Sequence, residues 1–340
     1  MTSIIAAFSI LSIIAATITG SVVFGAGELI DIIRSAVSGA PLPAGITAGR
    51  AGIIVNLRLP RVLLAWIAGA GLSASGAIMQ SVLKNPLASS FTLGVSAGAS
   101  FGAGLVILGS TAIPALAFIP QIASVPLAGF LFSLLSIVVV LRFSSAIDSR
   151  LDNTTIILSG MIFSLFINAL LTLLSALARQ EMNRLVLWQM GSFALKGWQP
   201  VMLLFPLVSA GCVIAALFGR QLDILTFGDD EAVSMGVAAP TAKSALIALA
   251  SVITGCIVSF TGVIGFVDLA VPHLVRRLAG PAHRRLIPLS ALTGGAFMVC
   301  ADLVSRTALP PLDIPVGAIT AILGAPLFAW IFFTSGKQKA

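Results

Sequence analysis

The sequence predicts an all-α, polytopic membrane protein, a bundle of about ten transmembrane helices. Of its 340 residues 58% are hydrophobic and 9% charged, against roughly 45–50% and about 25% in soluble domains. The mean hydropathy is +1.10. The 19 Lys and Arg and 12 Asp and Glu side chains are too few to coat a water-facing surface. Long apolar runs broken by Gly and Ser, with no Tyr at all, indicate helices. The strands of an outer-membrane barrel would alternate and carry aromatic girdles.

A span needs about 20 apolar residues. That ruler places candidates near residues 4–24, 62–82, 91–109, 112–141, 154–178, 201–218, 244–261, 262–275, 286–304 and 315–333. The first lacks a basic leader and a clear cleavage site and is long enough to span, so it is read as a membrane helix. The seventh and eighth form one apolar stretch broken at Thr261-Gly262 and carrying Asp268, Pro272 and His273. With both termini cytoplasmic, eleven cations, among them Lys84, Arg142, Arg220 and Arg284, fall inside and eight outside, a modest positive-inside bias. Small residues at four-residue spacing, Gly94, Gly98 and Gly102, and Gly69 with Ser73, read as ridges for close helix packing.

Several function classes are excluded or disfavoured. The cations are scattered between apolar runs, which argues against a nucleic-acid binder despite a net charge of +7. Cys212, Cys256 and Cys300 sit singly inside apolar runs, without the spacing of a metal site. They read as small core residues, and no metal is expected. There is no GxxxxGK[ST] loop or HExxH, so the chain holds no ATP site of its own and no catalytic residue is nominated. The most soluble-looking piece, Arg220 to Lys243, contains Gly228 followed by Asp229, Asp230 and Glu231, then Ala232 and Gly236. Carboxylates in a first helical turn favour the positive end of the dipole. The pattern predicts one or more short helices within about residues 220–240, suited to a cytosolic partner.

These residues also resemble a known family, the FecCD-type permeases of ABC importers. The pattern runs Leu57-Arg58-Leu59-Pro60-Arg61, Ser75-Gly76-Ala77 to Gln80, Lys84-Asn85-Pro86-Leu87-Ala88, Leu93-Gly94-Val95-Ser96-x-Gly98 and Met190-Gly191-Ser192-Phe193. It continues through Gly228-x3-Ala232-x3-Gly236, Gly265-Phe266-Val267 to Pro272-His273, Ala301-Asp302 to Arg306, and Pro315-Val316-Gly317 to Gly324-Ala325-Pro326. Any one of these is weak; their joint order over residues 50–335 is specific.

The resemblance implies a single permease domain over residues 1–340 with a type II importer-like bundle. It would sit in the inner membrane and carry a ferric siderophore, with haem or cobalamin next. Implied partners are a second permease subunit, simplest as a homodimer, two cytosolic ATPase subunits that use the ATP and Mg, and a periplasmic or lipid-anchored solute-binding protein. It further implies that Gly228, Asp229, Glu231, Ala232 and Gly236 couple to the ATPase. Asn85 and Leu87 with Asn153 and Thr154 would close the pathway at the cytoplasmic side. Arg58, Arg61 and Arg306 would dock acidic residues of the binding protein, where a lone guanidinium would otherwise rest among headgroups.

Asp268 departs from the family's usual small residue. A charge at membrane depth costs about 2.5–3.5 kcal/mol, so a satisfied structural pair is expected for it. His273 is expected to be a packed or helix-end residue. The rival class, an ion-coupled secondary transporter, should show paired acids or broken helices at the midplane; Asp268 and Pro272 are its only hints.

Overall fold

The computed structural model describes residues 2–20, 22–43, 45–109, 120–177 and 181–336, with side chains to residue 330. The elements among them are helices. The first, α1 (Thr2–Ile18), stops earlier than the apolar run to Phe24 that the sequence offered. After it come α2 (Ala26–Ser38) and the helical rod α3 (Ala48–Val82). The rod contains one wide π-turn, Ile53–Arg58, closed by a bond from the Leu59 N–H to the Ile54 carbonyl. It ends just before Pro60, which has no N–H to give.

Then follow α4 (Val95–Gly109), α5 (Gln121–Ile147), α6 (Asn153–Leu177), α7 (Met182–Gln189) and α8 (Trp198–Leu217). Two short helices come next, α9 (Gly219–Leu225) and α10 (Asp229–Ser234), within the expected 220–240 region. The chain closes with α11 (Ala239–Thr261), α12 (Val267–Ala279), α13 (His283–Thr307) and α14 (Val316–Gly336). Gly262 and Phe266 adopt left-handed φ values of 76° and 69°. They separate α11 from α12, which is a 13-residue half-length helix.

Among the described residues six helices, α3, α5, α6, α8, α11 and α13, are long and apolar enough to cross a membrane. The helices α1 and α4 and the Val316–Trp330 part of α14 are apolar but shorter, so the expected count of ten spans is not established by length and hydropathy. Part of the fourth candidate run, residues 112–119, and the cations Arg179, Lys337 and Lys339 lie outside the described residues.

The rod α3 is the axis of the bundle, buried almost without interruption from Pro60 to Val82. Its neighbours approach at backbone distance. A Cβ at Gly69 would strike the Gly294 carbonyl of α13, one at Gly76 the main chain of Asp268 on α12, and those at Gly98 and Gly102 main-chain atoms of Phe132 and Ala128 on α5. The small-residue ridges thus do the packing expected of them, since in lipid close van der Waals contact replaces the hydrophobic drive. A methyl at any of these points would force the helices apart at a cost of about 1–3 kcal/mol. Of the cysteines, Cys256 is buried and Cys212 half-buried, but Cys300 is exposed on α13 and is no core residue.

Candidate functional site

At one end of the bundle, α10 is seated by Ala232, which is fully buried in an apolar cluster with Leu222, Leu225 and Ala239. Gly228 precedes it, and a Cβ there would collide with the Glu231 carboxylate that folds back over the helix start. Gly236 ends it at φ 81°. The outward side of this short helix shows Val233 and Met235, with Phe227 just before it, 58–71% exposed beside Asp230 and Glu231.

Asp229 ties the helix to the rest of this end of the bundle. Its carboxylate pairs with the wholly buried Lys243 of α11 and lies 3.5 Å from the Lys84 ammonium. Lys243 also donates to Asn153 Oδ1 at 2.9 Å and to the Leu151 carbonyl at 3.3 Å. Lys243 was read from the sequence only as a topology cation. Nothing in its spacing marks it, because its partners come from segments about 90 and 14 residues away. Among the nominated gate residues, Asn85 Oδ1 accepts from the Leu87 N–H at 2.9 Å, an Asx turn, and leaves the Leu87 side chain half exposed. Thr154 is exposed, its N–H donating to Asp152. In the same turn, main-chain N–H groups of Arg150 and Asp152 donate to Asp148 and hold its carboxyl below the usual range.

The segment before α10 is anchored as well. Asp223 on α9 accepts from the His283 main-chain N–H at 3.0 Å and meets His283 Nδ1 at 2.5 Å, while His283 Nε2 lies 2.5 Å from Ser81 Oγ on α3.

At the other end the three nominated arginines are engaged internally. Arg58 is 6% exposed; its guanidinium donates to the carbonyls of Thr17, Ile18 and Val22 and lies 4.9 Å from the Phe24 ring. It caps the C-terminus of α1, where orphan carbonyls and the negative dipole end favour a cation. Arg58 is thus engaged by carbonyls of its own chain. Arg61 donates to Asp302 at 2.9 Å and to Asp313 at 2.7 Å. Arg306 lies 3.6 Å from Asp302 and donates to the Ala16 carbonyl. Asp302 is 1% exposed and Asp313 41%. The Arg50 guanidinium, paired with Glu28 at 2.6 Å, lowers the Glu28 carboxyl.

The pair expected for Asp268 is absent. This carboxyl is 2% exposed and makes no hydrogen bond among the described residues, Ser89 being the polar side chain beside it. His273 is packed edge-on to Phe328, 6.1 Å between ring centres, in the middle of α12 and not at its end.

Along the side of the bundle, α6 carries Ser164, Asn168, Thr172 and Ser175 on one face. The hydroxyls of Ser164, Thr172 and Ser175 close on carbonyls of their own helix. Asn168 is exposed, and it and Gln189 of α7 line two adjoining hollows, of 340 and 460 Å³, the first also walled by Ser96 and Ser100 of α4. A carboxamide is a poor guest for lipid, so this face is built for water or another chain.

Residues 6–334 match the FecCD transport family along nearly the whole chain. The chain belongs to that family. The uncharacterized ABC transporter permease YvrB of Bacillus subtilis is 40% identical over 279 residues, 82% of this chain and 78% of its own. The hemin transport system permease HmuU of Yersinia pestis is 35% identical over 289 residues, 85% of each. A solved metal-chelate type ABC transporter in an inward-facing conformation superposes with a TM-score of 0.83 at 28% identity, covering 97% of each chain. This FecCD member is a multi-pass ABC permease, and such a subunit is not itself catalytic. The rival reading as an ion-coupled carrier falls away.

Proposed function

We propose that the chain is the membrane subunit through which a binding-protein-dependent importer moves an iron chelate across the inner membrane. A ferric siderophore is the first choice, with haem or cobalamin next. The observation that carries the reading is Asn168, an exposed carboxamide midway along an apolar span and lining a hollow. Its face supports one wall of an aqueous path, completed by an identical chain.

Cytosolic ATPase subunits, which hold the ATP and Mg, grip α10 through Phe227, Val233 and Met235 and the adjacent carboxylates. Gly228, Asp229, Glu231, Ala232 and Gly236 shape this coupling element, two of them by seating it. Because Lys243 joins Asp229 to Asn153, motion of α10 reaches the turns that carry Asn85, Leu87, Asn153 and Thr154, the cytoplasmic gate. Both termini face the cytoplasm, within one permease domain over residues 1–340. On the outer side Arg61 and Arg306 meet acidic residues of the solute-binding protein by exchanging internal partners, Asp313 being the exposed acid that Arg61 can release.

Reconstitution into vesicles with the cognate ATPase and binding protein tests the reading. Uptake of a ferric chelate should require both, and Asn168→Leu should lower it severalfold while ATP hydrolysis continues. Uptake without any ATPase would overturn the reading, and impermeant labelling of an introduced Arg220→Cys from outside would overturn the orientation.

A further inference from the structure

Where α3, α12 and α13 meet α9, a cavity of 570 Å³ opens at the same end of the bundle as α10. Its size is that of a small-molecule site, and its walls are unevenly charged. Arg276 is half-buried and makes no ion pair among the described residues; its guanidinium reaches only neutral partners, Ser81 Oγ at 3.1 Å and Gln80 Oε1 at 3.4 Å. Lys84 adds a second cation, only partly neutralised because its acid, 3.5 Å away, is shared with Lys243. On the same wall His273 Nδ1 is buried with no hydrogen-bond partner among the described residues. The one carboxylate lining the cavity, Asp223, is occupied by His283.

A partly buried guanidinium without a counter-ion is costly in a membrane protein, and an unpaired buried ring nitrogen adds to that cost. Both costs vanish if an oxyanion enters. The guanidinium supplies a planar fork, Lys84 a point charge and His273 Nδ1–H a further donor. Two of them stand on α12 and Lys84 on the segment after α3, an arrangement that suits a tetrahedral group accepting several hydrogen bonds. We propose that this cavity is a binding site for a phosphate group, supplied either by inorganic phosphate or by an anionic lipid headgroup of the adjoining leaflet. The cavity borders the Asn85 turn and Phe227, and the site stands whether or not the cargo is an iron chelate.

The full-length chain in neutral detergent is titrated with inorganic phosphate, against chloride at matched ionic strength, while its unfolding temperature is followed. Phosphate should raise that temperature saturably. Arg276→Lys, which keeps the charge but loses the fork, and His273→Phe, which keeps the ring but loses Nδ1, should each raise the half-saturating concentration about tenfold. Arg277→Gln, at the exposed neighbour stacked on Trp330, should leave it unchanged. Native mass spectrometry after exposure to phosphatidylglycerol separates the two sources. One retained lipid per chain, displaced by phosphate, identifies the headgroup; a phosphate effect without retained lipid identifies the free ion. If phosphate acts no differently from chloride on the wild-type chain and no lipid is retained, the site does not exist. That is also the result expected if a partner subunit's carboxylate fills the cavity. Should one variant fail to fold, the wild-type comparison and the other variant still decide, and variants that respond like wild type overturn the assignment.

Discussion

Lys243 and Asp229 form an ion pair in which the lysine side chain is completely buried and the aspartate about one-third exposed. The lysine stands on the membrane helix α11 and the aspartate opens the surface helix α10. This single contact joins the element offered to a partner with the turn that begins α6.

The pair should behave as a coupled unit. Asp229→Ala leaves a buried ammonium with neutral acceptors only and should lower stability by about 1–3 kcal/mol. Adding Lys243→Met should recover much of that loss, because an apolar side chain needs no counter-charge. Thermal unfolding of the two single variants and the double variant in detergent measures the coupling; strictly additive effects would show that the pair is not energetically linked.

Substitutions on opposite sides of α10 should part company. Ala232→Leu overfills a closed apolar seat and should destabilise the fold by about 1–3 kcal/mol. Val233→Asp adds charge to an exposed position and should leave folding nearly unchanged while abolishing chelate uptake. Unfolding temperature and reconstituted transport are the two readouts, and full uptake by the Val233 variant would remove α10 as the coupling element.

Charge reversal at Arg61 would set a carboxylate against buried Asp302, so a loss of binding there could reflect misfolding. Asp313 is the cleaner site, because it is exposed and competes for Arg61. Asp313→Asn should tighten association with an acidic binding protein up to about fivefold, in keeping with the 0.2–1 kcal/mol of an exposed pair. Unchanged affinity at low salt would argue against docking through Arg61.

Acidification should loosen α2. The folded Glu28 carboxyl lies below its ordinary value because Arg50 donates to it. Its contribution is therefore present above the unfolded carboxyl's range and is lost as the pH falls through the lowered folded value. Hydrogen exchange in residues 26–38 should accelerate over that interval in wild type and be already fast, and insensitive to this titration, in Glu28→Gln.

Class and close packing were legible because they depend on local or periodic signals. Scarcity of charge implies lipid as solvent, and glycines four residues apart imply touching helices; Gly98 and Gly102 meet α5 as that spacing requires. The short connector was legible from Gly228, the acids after it and Gly236. The roles of individual charges were not. Arg58 and Arg61 are three residues apart in one motif, yet one caps the end of α1 and the other pairs with acids from the far end of the chain. Asp268, expected to be paired, forms no ion pair among the described residues and has Ser89 as the polar side chain beside it.

The amino-acid sequence alone therefore determined the solvent, the helical class, the packing ridges and the family resemblance, all of which follow from composition, spacing and motif order. The tertiary structure decided which charges are closed on the chain itself and which face outward. Only folding brings Lys243 to Asn153, Arg61 to Asp302 and Arg276 to a cavity without a counter-ion. Pairing energy depends on distance and burial, and neither quantity is carried by separation along the chain.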